Sequence, residues 1–156
     1  MEYNPYALTG KTILVTGASS GIGRAVAIEC SRLGAHVILS ARNKEKLEET
    51  LKMMEGHGHQ VIECDLSKEK EVSLLIDEVP EIQGLVNNAG TTMTVPVPFI
   101  KFNVLSDLLK VNTIAPIMIL SGLVKKKKLR ANSSVVFTSS VSGLGRVSPG
   151  NTMYAA

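Results

Sequence analysis

A chain of 156 residues, 44% of them hydrophobic and 20% charged, is about one domain long and can bury roughly two-thirds or more of its unfolded surface in a single core. Such a composition excludes a disordered tail, a collagen-like repeat and a disulfide scaffold. The net charge of +3 is too small to call for nucleic acid or an anionic membrane, and an anionic small molecule suits it equally well.

The first ten residues, MEYNPYALTG, lack the basic segment and apolar run of a secretory signal. Residues 11–17, KTILVTG, form a short β-branched apolar run that predicts a buried strand. From Gly21, the stretch GIGRAVAIECSRLGA places Ile22, Ala25, Val26, Cys30 and Leu33 at helical spacing, and Gly34 closes the helix. HVILSA (36–41) predicts a second buried strand. NKEKLEETLKMMEGHG (43–58) predicts a polar-faced helix capped by Asn43 and ending near Gly56. The unit then repeats, with QVIECD (60–65) as a third strand, KEKEVSLLIDEV (68–79) as a helix after a Ser67 cap, and GLVNNAG (84–90) as a fourth strand. A long helix is expected from about Lys101 to Lys127 and a fifth strand over SSVVFTSS (133–140).

Five apolar strands alternating with helices predict an α/β fold, a Rossmann-type doubly wound parallel sheet in the order 3-2-1-4-5. Nothing divides residues 1–156 into two domains. The four lysines at 125–128 are expected to complement the dipole of the long helix. The aliphatic run IAPIMIL (114–120) is far shorter than the ~18 residues of a membrane span, so a cytoplasmic protein without a membrane partner is expected. Cys30 and Cys64 show no metal-ligand or redox spacing and are assigned to packing; no metal is expected.

TGASSGIG (16–23) sits between the first strand and its helix. Gly17 permits the tight turn, and Gly21 and Gly23 permit close approach of a ligand's phosphates and of the helix. The free N–H groups of the helix start suit a pyrophosphate. Arg24 stands where a Walker loop would carry its Lys-Ser or Lys-Thr pair. At the end of the second strand, LSARN offers Ser40 and Arg42 where an NAD site carries a carboxylate, and Arg24 lies nearby. A 2′-phosphate suits both cations, so NADP(H) is the expected coenzyme.

The spacing T-G-x-x-x-G-x-G, with NNAG at 87–90, VN at 111–112, SSVSG at 139–143 and Tyr154, resembles the short-chain dehydrogenase/reductase family over essentially the whole chain. The resemblance implies a hydride-transferring oxidoreductase acting on a carbonyl or secondary alcohol. It implies that Gly17, Ser19, Ser20, Gly21, Ile22 and Gly23 cradle the pyrophosphate, and that Ser40 and Arg42 meet the 2′-phosphate. Asp65 and Leu66 then lie at the adenine, and Asn88, Ala89 and Gly90 along the ribose and nicotinamide. Asp65 could equally cap the next helix. Asn87 is expected to brace the sheet, because a buried amide needs partners.

Reduction of a carbonyl needs a proton donor where charge develops on oxygen. The resemblance gives that task to Tyr154, with Ser140 bonding the substrate oxygen; Ser139 and Ser142 fit the motif less well. Asn112 matches a further catalytic position. Pro116, four residues on, has no N–H, so the carbonyl of Asn112 is left to hold a water of the family's proton relay; a simple helix kink is the alternative. The lysine of the family's Y-x-x-x-K motif would fall at 158, beyond the last residue. The sequence is therefore expected to be the amino-terminal portion of a longer domain, the later strands lying outside it, rather than a truncated product. A dimer or tetramer is expected of the whole protein. A catalytically silent nucleotide-binding module and a 3-oxoacyl thioester reductase are the other readings.

Overall fold

The computed structural model describes residues 4–144 and 149–155. In chain order these build β1 (Thr12–Thr16), α1 (Gly21–Arg32), β2 (His36–Ala41), α2 (Lys44–Lys52), β3 (Gln60–Glu63), α3 (Glu69–Glu78) and β4 (Ile82–Asn87). There follow α4 (Phe102–Leu109), a π-helical turn over Lys110–Ile114, α5 (Ala115–Lys125), β5 (Leu129–Phe137) and α6 (Thr152–Ala155). All strand pairs are parallel, and the sheet order is β3-β2-β1-β4-β5, as the alternation predicts.

The two-residue period of the strands divides their side chains between two cores. Leu14, Ile38 and Leu85 pack beneath α3 and α5 with Leu75, Ile119 and Leu123. Ile13, Val15, Val37 and Leu39 face the other way and meet α1 and α2 through Ala27 and Leu47. Each fully buried Leu, Ile or Val contributes about 1.5–3 kcal/mol.

Within α1 the buried stripe is Gly23, Ala27 and Ser31. Ile22, which shares the helical spacing, is 66% exposed and lines the cavity described below. The helix lies so close to the sheet that only small residues fit beneath it. The helix after β3 also starts differently from the expectation. Lys68 is its N-cap, and Ser67 turns back to bond the Asp65 carboxylate through N–H and hydroxyl at 3.0 and 2.8 Å. Asn43 does cap α2, accepting the Lys46 N–H at 2.8 Å.

The expected long helix is α4, the π turn and α5 in continuous sequence. Over Phe102–Lys125 its 24 residues reach a mean hydropathy of 1.5 in the most apolar window, long and apolar enough by length and composition to cross a membrane. Counting only the uninterrupted aliphatic run misses this. In the fold, Ala115, Ile119 and Leu123 of this helix are buried against the sheet. Only Lys125 of the four lysines lies in its last turn. Lys126 pairs with Asp77, and Lys128 Nζ donates to the Asp77 and Val79 carbonyls at 2.6 Å. The charge therefore caps the carboxyl end of α3, whose own last turn has no basic residue. β5 begins four residues earlier than predicted, with an irregular register between Ile82 and Gly84 and Asn132 in the left-handed region at φ 63°.

Candidate active site

Parallel strands bring their carboxyl ends to one edge, and the order reverses between β1 and β4, where α/β sheets bind ligands. A cavity of about 720 Å³ runs along that edge, within the range of about 300–1,000 Å³ usual for cofactor sites.

The turn after β1 supplies Gly17, Ser19, Ser20 and Ile22 to the cavity wall. Gly17 has φ +70°, and a Cβ there would stand 2.8 Å from the Ala89 Cα. A Cβ on Gly23 would stand 2.3 Å from the Gly17 carbonyl oxygen and 2.5 Å from Asn88 Nδ2. Gly23 thus serves the contact of helix with strand end, and neither it nor Gly21 lines the cavity. Ser20 is the N-cap of α1 but makes no side-chain bond to the helix, and the first turn carries no acidic residue. The first-turn amides and their partial positive charge remain available to an anion.

Arg24, expected to share a phosphate with Arg42, does not line the cavity. Its Nε donates to Thr50 Oγ1 at 3.0 Å. Its Nη2 donates to the Ser19 carbonyl at 2.6 Å, reaches the Lys46 carbonyl at 3.5 Å, and pairs with Glu49 at 3.2 Å. The guanidinium joins the glycine turn to α2.

Ser40, Ala41, Arg42 and Asn43 line the next stretch, together with Lys46, which the sequence reading missed. Ser40 is 1% exposed, and its hydroxyl has no hydrogen-bond partner among the described residues. A buried hydroxyl without a partner is destabilising by about 1–3 kcal/mol. Asp65 and Leu66 follow. Partial burial alone would raise the Asp65 carboxyl; the bonds from the Ser67 N–H and hydroxyl, with Lys68 and Arg42 alongside, outweigh it and hold the carboxyl below its usual range. The Asp65 N–H also donates to Glu71 at 2.7 Å. Asp65 thus both orders the start of α3 and faces the cavity.

After β4, Asn88, Ala89, Gly90, Thr91 and Thr92 line the cavity. Thr16 holds this turn: its hydroxyl donates to the Val86 carbonyl at 3.3 Å and accepts the Asn88 and Ala89 N–H groups at 3.1 and 3.2 Å. Asn87, expected to brace the sheet through its amide, makes no such bond: its side chain is buried, and neither of its amide atoms has a partner among the described residues. A hydroxyl on the adjacent central strand reaches the turn where the Asn87 amide does not.

Asn112 lies in the π turn. Its Nδ2 donates to the Thr91 carbonyl and its Oδ1 accepts the Thr91 N–H, both at 2.8 Å. The side chain therefore secures the cavity wall without lining the cavity itself.

Thr138, Ser139 and Ser140 line the far end together with Tyr154 from α6. Ser140 lies just beyond β5, whose end is Phe137, rather than within it. Its Oγ accepts the Ser142 N–H at 3.2 Å. Between Ser140 and Tyr154, the Pro149-Gly150 pair predicts a loop, and of this stretch residues 145–148 lie outside the described residues. Its described end is tied down where the Gly150 carbonyl accepts the Val95 N–H at 2.7 Å. Cys30 and Cys64 are free thiols. Burial pushes the Cys64 thiol up to about 12, with Glu71 and Asp65 adding to it, and raises Cys30 as well.

Residues 11–156 match the short chain dehydrogenase family model. The chain is 34% identical over 149 residues to the 3-oxoacyl-[acyl-carrier-protein] reductase FabG of Rickettsia felis, covering 96% of this chain and 61% of that protein. It is 35% identical over 150 residues to the 3-ketodihydrosphingosine reductase of Mus musculus, covering 89% and 45%. Among solved structures, an Escherichia coli CFT073 protein described as a short chain dehydrogenase and complexed with NADPH superposes with a TM-score of 0.84 at 32% identity, over 98% of this chain and 68% of that one. The chain spans less than two thirds of the length of these two curated relatives.

Proposed function

The chain belongs to the short-chain dehydrogenase family, and from that premise we propose that residues 1–156 form the amino-terminal, coenzyme-binding portion of a longer NADP(H)-dependent oxidoreductase domain acting on a carbonyl or secondary alcohol. One observation carries this reading. A single cavity joins the uncapped start of α1 and the Ser40–Arg42 strand end to Ser140 and Tyr154.

In this reading Ser19, Ser20 and Ile22 hold the pyrophosphate against the first-turn amides of α1, Gly17, Gly21 and Gly23 giving the turn its shape. Ser40 and Arg42 meet the 2′-phosphate, Asp65 and Leu66 the adenine, and Asn88, Ala89 and Gly90 the ribose and nicotinamide. The nicotinamide, when bound, supplies or accepts the hydride. Ser140 has its oxygen engaged by the Ser142 N–H, which leaves its own O–H to donate to the substrate oxygen. Tyr154 passes its proton to that oxygen as charge develops there, and takes it back in the oxidative direction. Asn112 commits its amide to Thr91, so its part in proton transfer falls to the carbonyl that Pro116 cannot bond.

Reduction of a 3-oxo substrate is a narrower second reading, supported by the 3-oxoacyl and 3-keto substrates named for the relatives above. A cytoplasmic homo-oligomer fits the free thiols and the exposed apolar helix face. Titration of the chain with NADPH and NADH tests the coenzyme reading. Arg42→Ala should weaken NADPH about tenfold more than NADH; equal losses, or no binding of either coenzyme, overturn it. A coenzyme-binding parent protein that turns over no ketone in a broad panel would instead be a silent nucleotide-binding module.

A further inference from the structure

Arg42 needs a companion at the end of β2. A phosphomonoester carries about −1.5 to −2 charges at neutral pH on three acceptor oxygens, more than one guanidinium and one hydroxyl satisfy. Arg24, the companion that the sequence offers, is already engaged by Ser19, Thr50 and Glu49 and stands outside the cavity wall.

Lys46 stands inside it. The main chain of Lys46 is held at both ends, its N–H by Asn43 Oδ1 at 2.8 Å and its carbonyl by Thr50 Oγ1 at 3.0 Å, with Arg24 Nη2 at 3.5 Å. Thr50, fully buried, also bonds the Ala18 carbonyl of the glycine turn at 3.0 Å. Thus Arg24 and Thr50 together link the turn after β1 to the first turn of α2. Lys46 and Arg42 both line the cavity, and among the described residues neither closes an ion pair. Ser40, whose buried hydroxyl has no partner among the described residues, lines the same cavity.

We propose that Lys46 is the second cation of this subsite, donating with Arg42 to a phosphomonoester above the Ser40 hydroxyl, and that Arg24 is a positioning residue that holds Lys46 and the glycine turn in register. This rests on the NADP(H) reading and adds to it the residues that set coenzyme preference. It also separates two jobs that the sequence gives to one kind of side chain. A mobile ammonium meets the ligand. A forked guanidinium, with several fixed donors, bridges backbone carbonyls.

Binding, read by calorimetry or coenzyme fluorescence, tests this without turnover. Lys46 is exposed, so Lys46→Ala should fold normally. It should weaken NADPH and free adenosine 2′-phosphate about tenfold, leave NADH unchanged, and flatten the salt dependence of NADPH binding; Lys46→Arg should restore most of the affinity. Arg24→Gln, measured well below its melting temperature, should weaken NADH as well as NADPH, a loss that a purely structural role would confine to the melting curve. If Lys46→Ala leaves NADPH affinity intact while Arg42→Ala loses it selectively, the role of Lys46 is overturned and the coenzyme reading stands. If neither variant discriminates between the coenzymes, that reading falls too. Selective loss of NADPH in Arg24→Gln makes Arg24 the phosphate ligand and overturns the assignment.

Discussion

Where the half-sheet of β1, β2 and β3 meets α1 and α2, the contact is closed off: Val15, Val37 and Leu39 of the strands and Leu47 and Thr50 of α2 are all 0% exposed. In the half formed by β4, β5 and the long helix, Ile117 is 55%, Met118 49%, Val136 51% and Phe137 50% exposed. The first half buries the face of its sheet toward α1 and α2 within the described residues and carries the glycine turn, the Ser40–Arg42 strand end and the Arg24–Thr50 link. The second is apolar on more faces than its neighbours cover. On α5, Ala115, Ile119 and Leu123 face the sheet while Ile117, Met118 and Val124 face outward. Such surfaces are where proteins associate. The half that carries the glycine turn is thus closed over the sheet locally, while the half beside Ser140 and Tyr154 leaves apolar surface uncovered among the described residues.

The sharpest way to break that contrast is on α5. Ile119→Ala should be destabilising by about 2–5 kcal/mol through loss of core contacts and a cavity. Ile117→Ala should stay within about 0.5 kcal/mol for an isolated chain. Urea unfolding at two protein concentrations reads both, and a concentration-dependent loss for Ile117→Ala would show that this face is covered by association.

In the closed half, Gly23→Ala should be destabilising by about 3 kcal/mol, the upper end of overpacking. The added Cβ would meet the Gly17 carbonyl at 2.3 Å, a backbone atom that cannot swing away. A melting curve close to the parent's would mean that helix and strand end are looser than they stand here. Thr16→Val tests the seam between the halves. It keeps the shape but strips partners from the Asn88 and Ala89 N–H groups, so a loss of about 2 kcal/mol is expected. Slower hydrogen exchange at those amides in the variant would contradict the assignment.

The smallest effect concerns acid. The folded Asp65 carboxyl titrates below its usual value, so it contributes stability above the ordinary carboxylate value of about 4 and loses that contribution as pH falls through its folded value. The stability difference between the parent chain and Asp65→Asn should be constant above about pH 5 and close below about pH 4. A difference that widens on acidification would mean that the carboxyl is raised.

Much of the cavity lining was legible in the sequence, because its signals are local. The glycine turn needs three positions within eight residues, and the absent carboxylate after β2 is read from five. The pairings that organise these pieces were not legible. Arg24 with Thr50 spans 26 residues, Thr91 with Asn112 spans 21, and Thr16 with Asn88 spans 72. Nothing in the sequence near Arg24 distinguishes a phosphate ligand from a backbone clamp.

Strand and helix periodicity, turn glycines and the order of the sheet were determined by the sequence itself, since hydrophobic spacing and backbone sterics act within a few residues and leave few parallel topologies. Which of the apolar residues at helical spacing are buried, which cation faces the cavity, and which polar side chain braces the turn after β4 were decided only in three dimensions. Those outcomes depend on how closely α1 approaches the sheet and on which acceptors distant segments bring within hydrogen-bond reach.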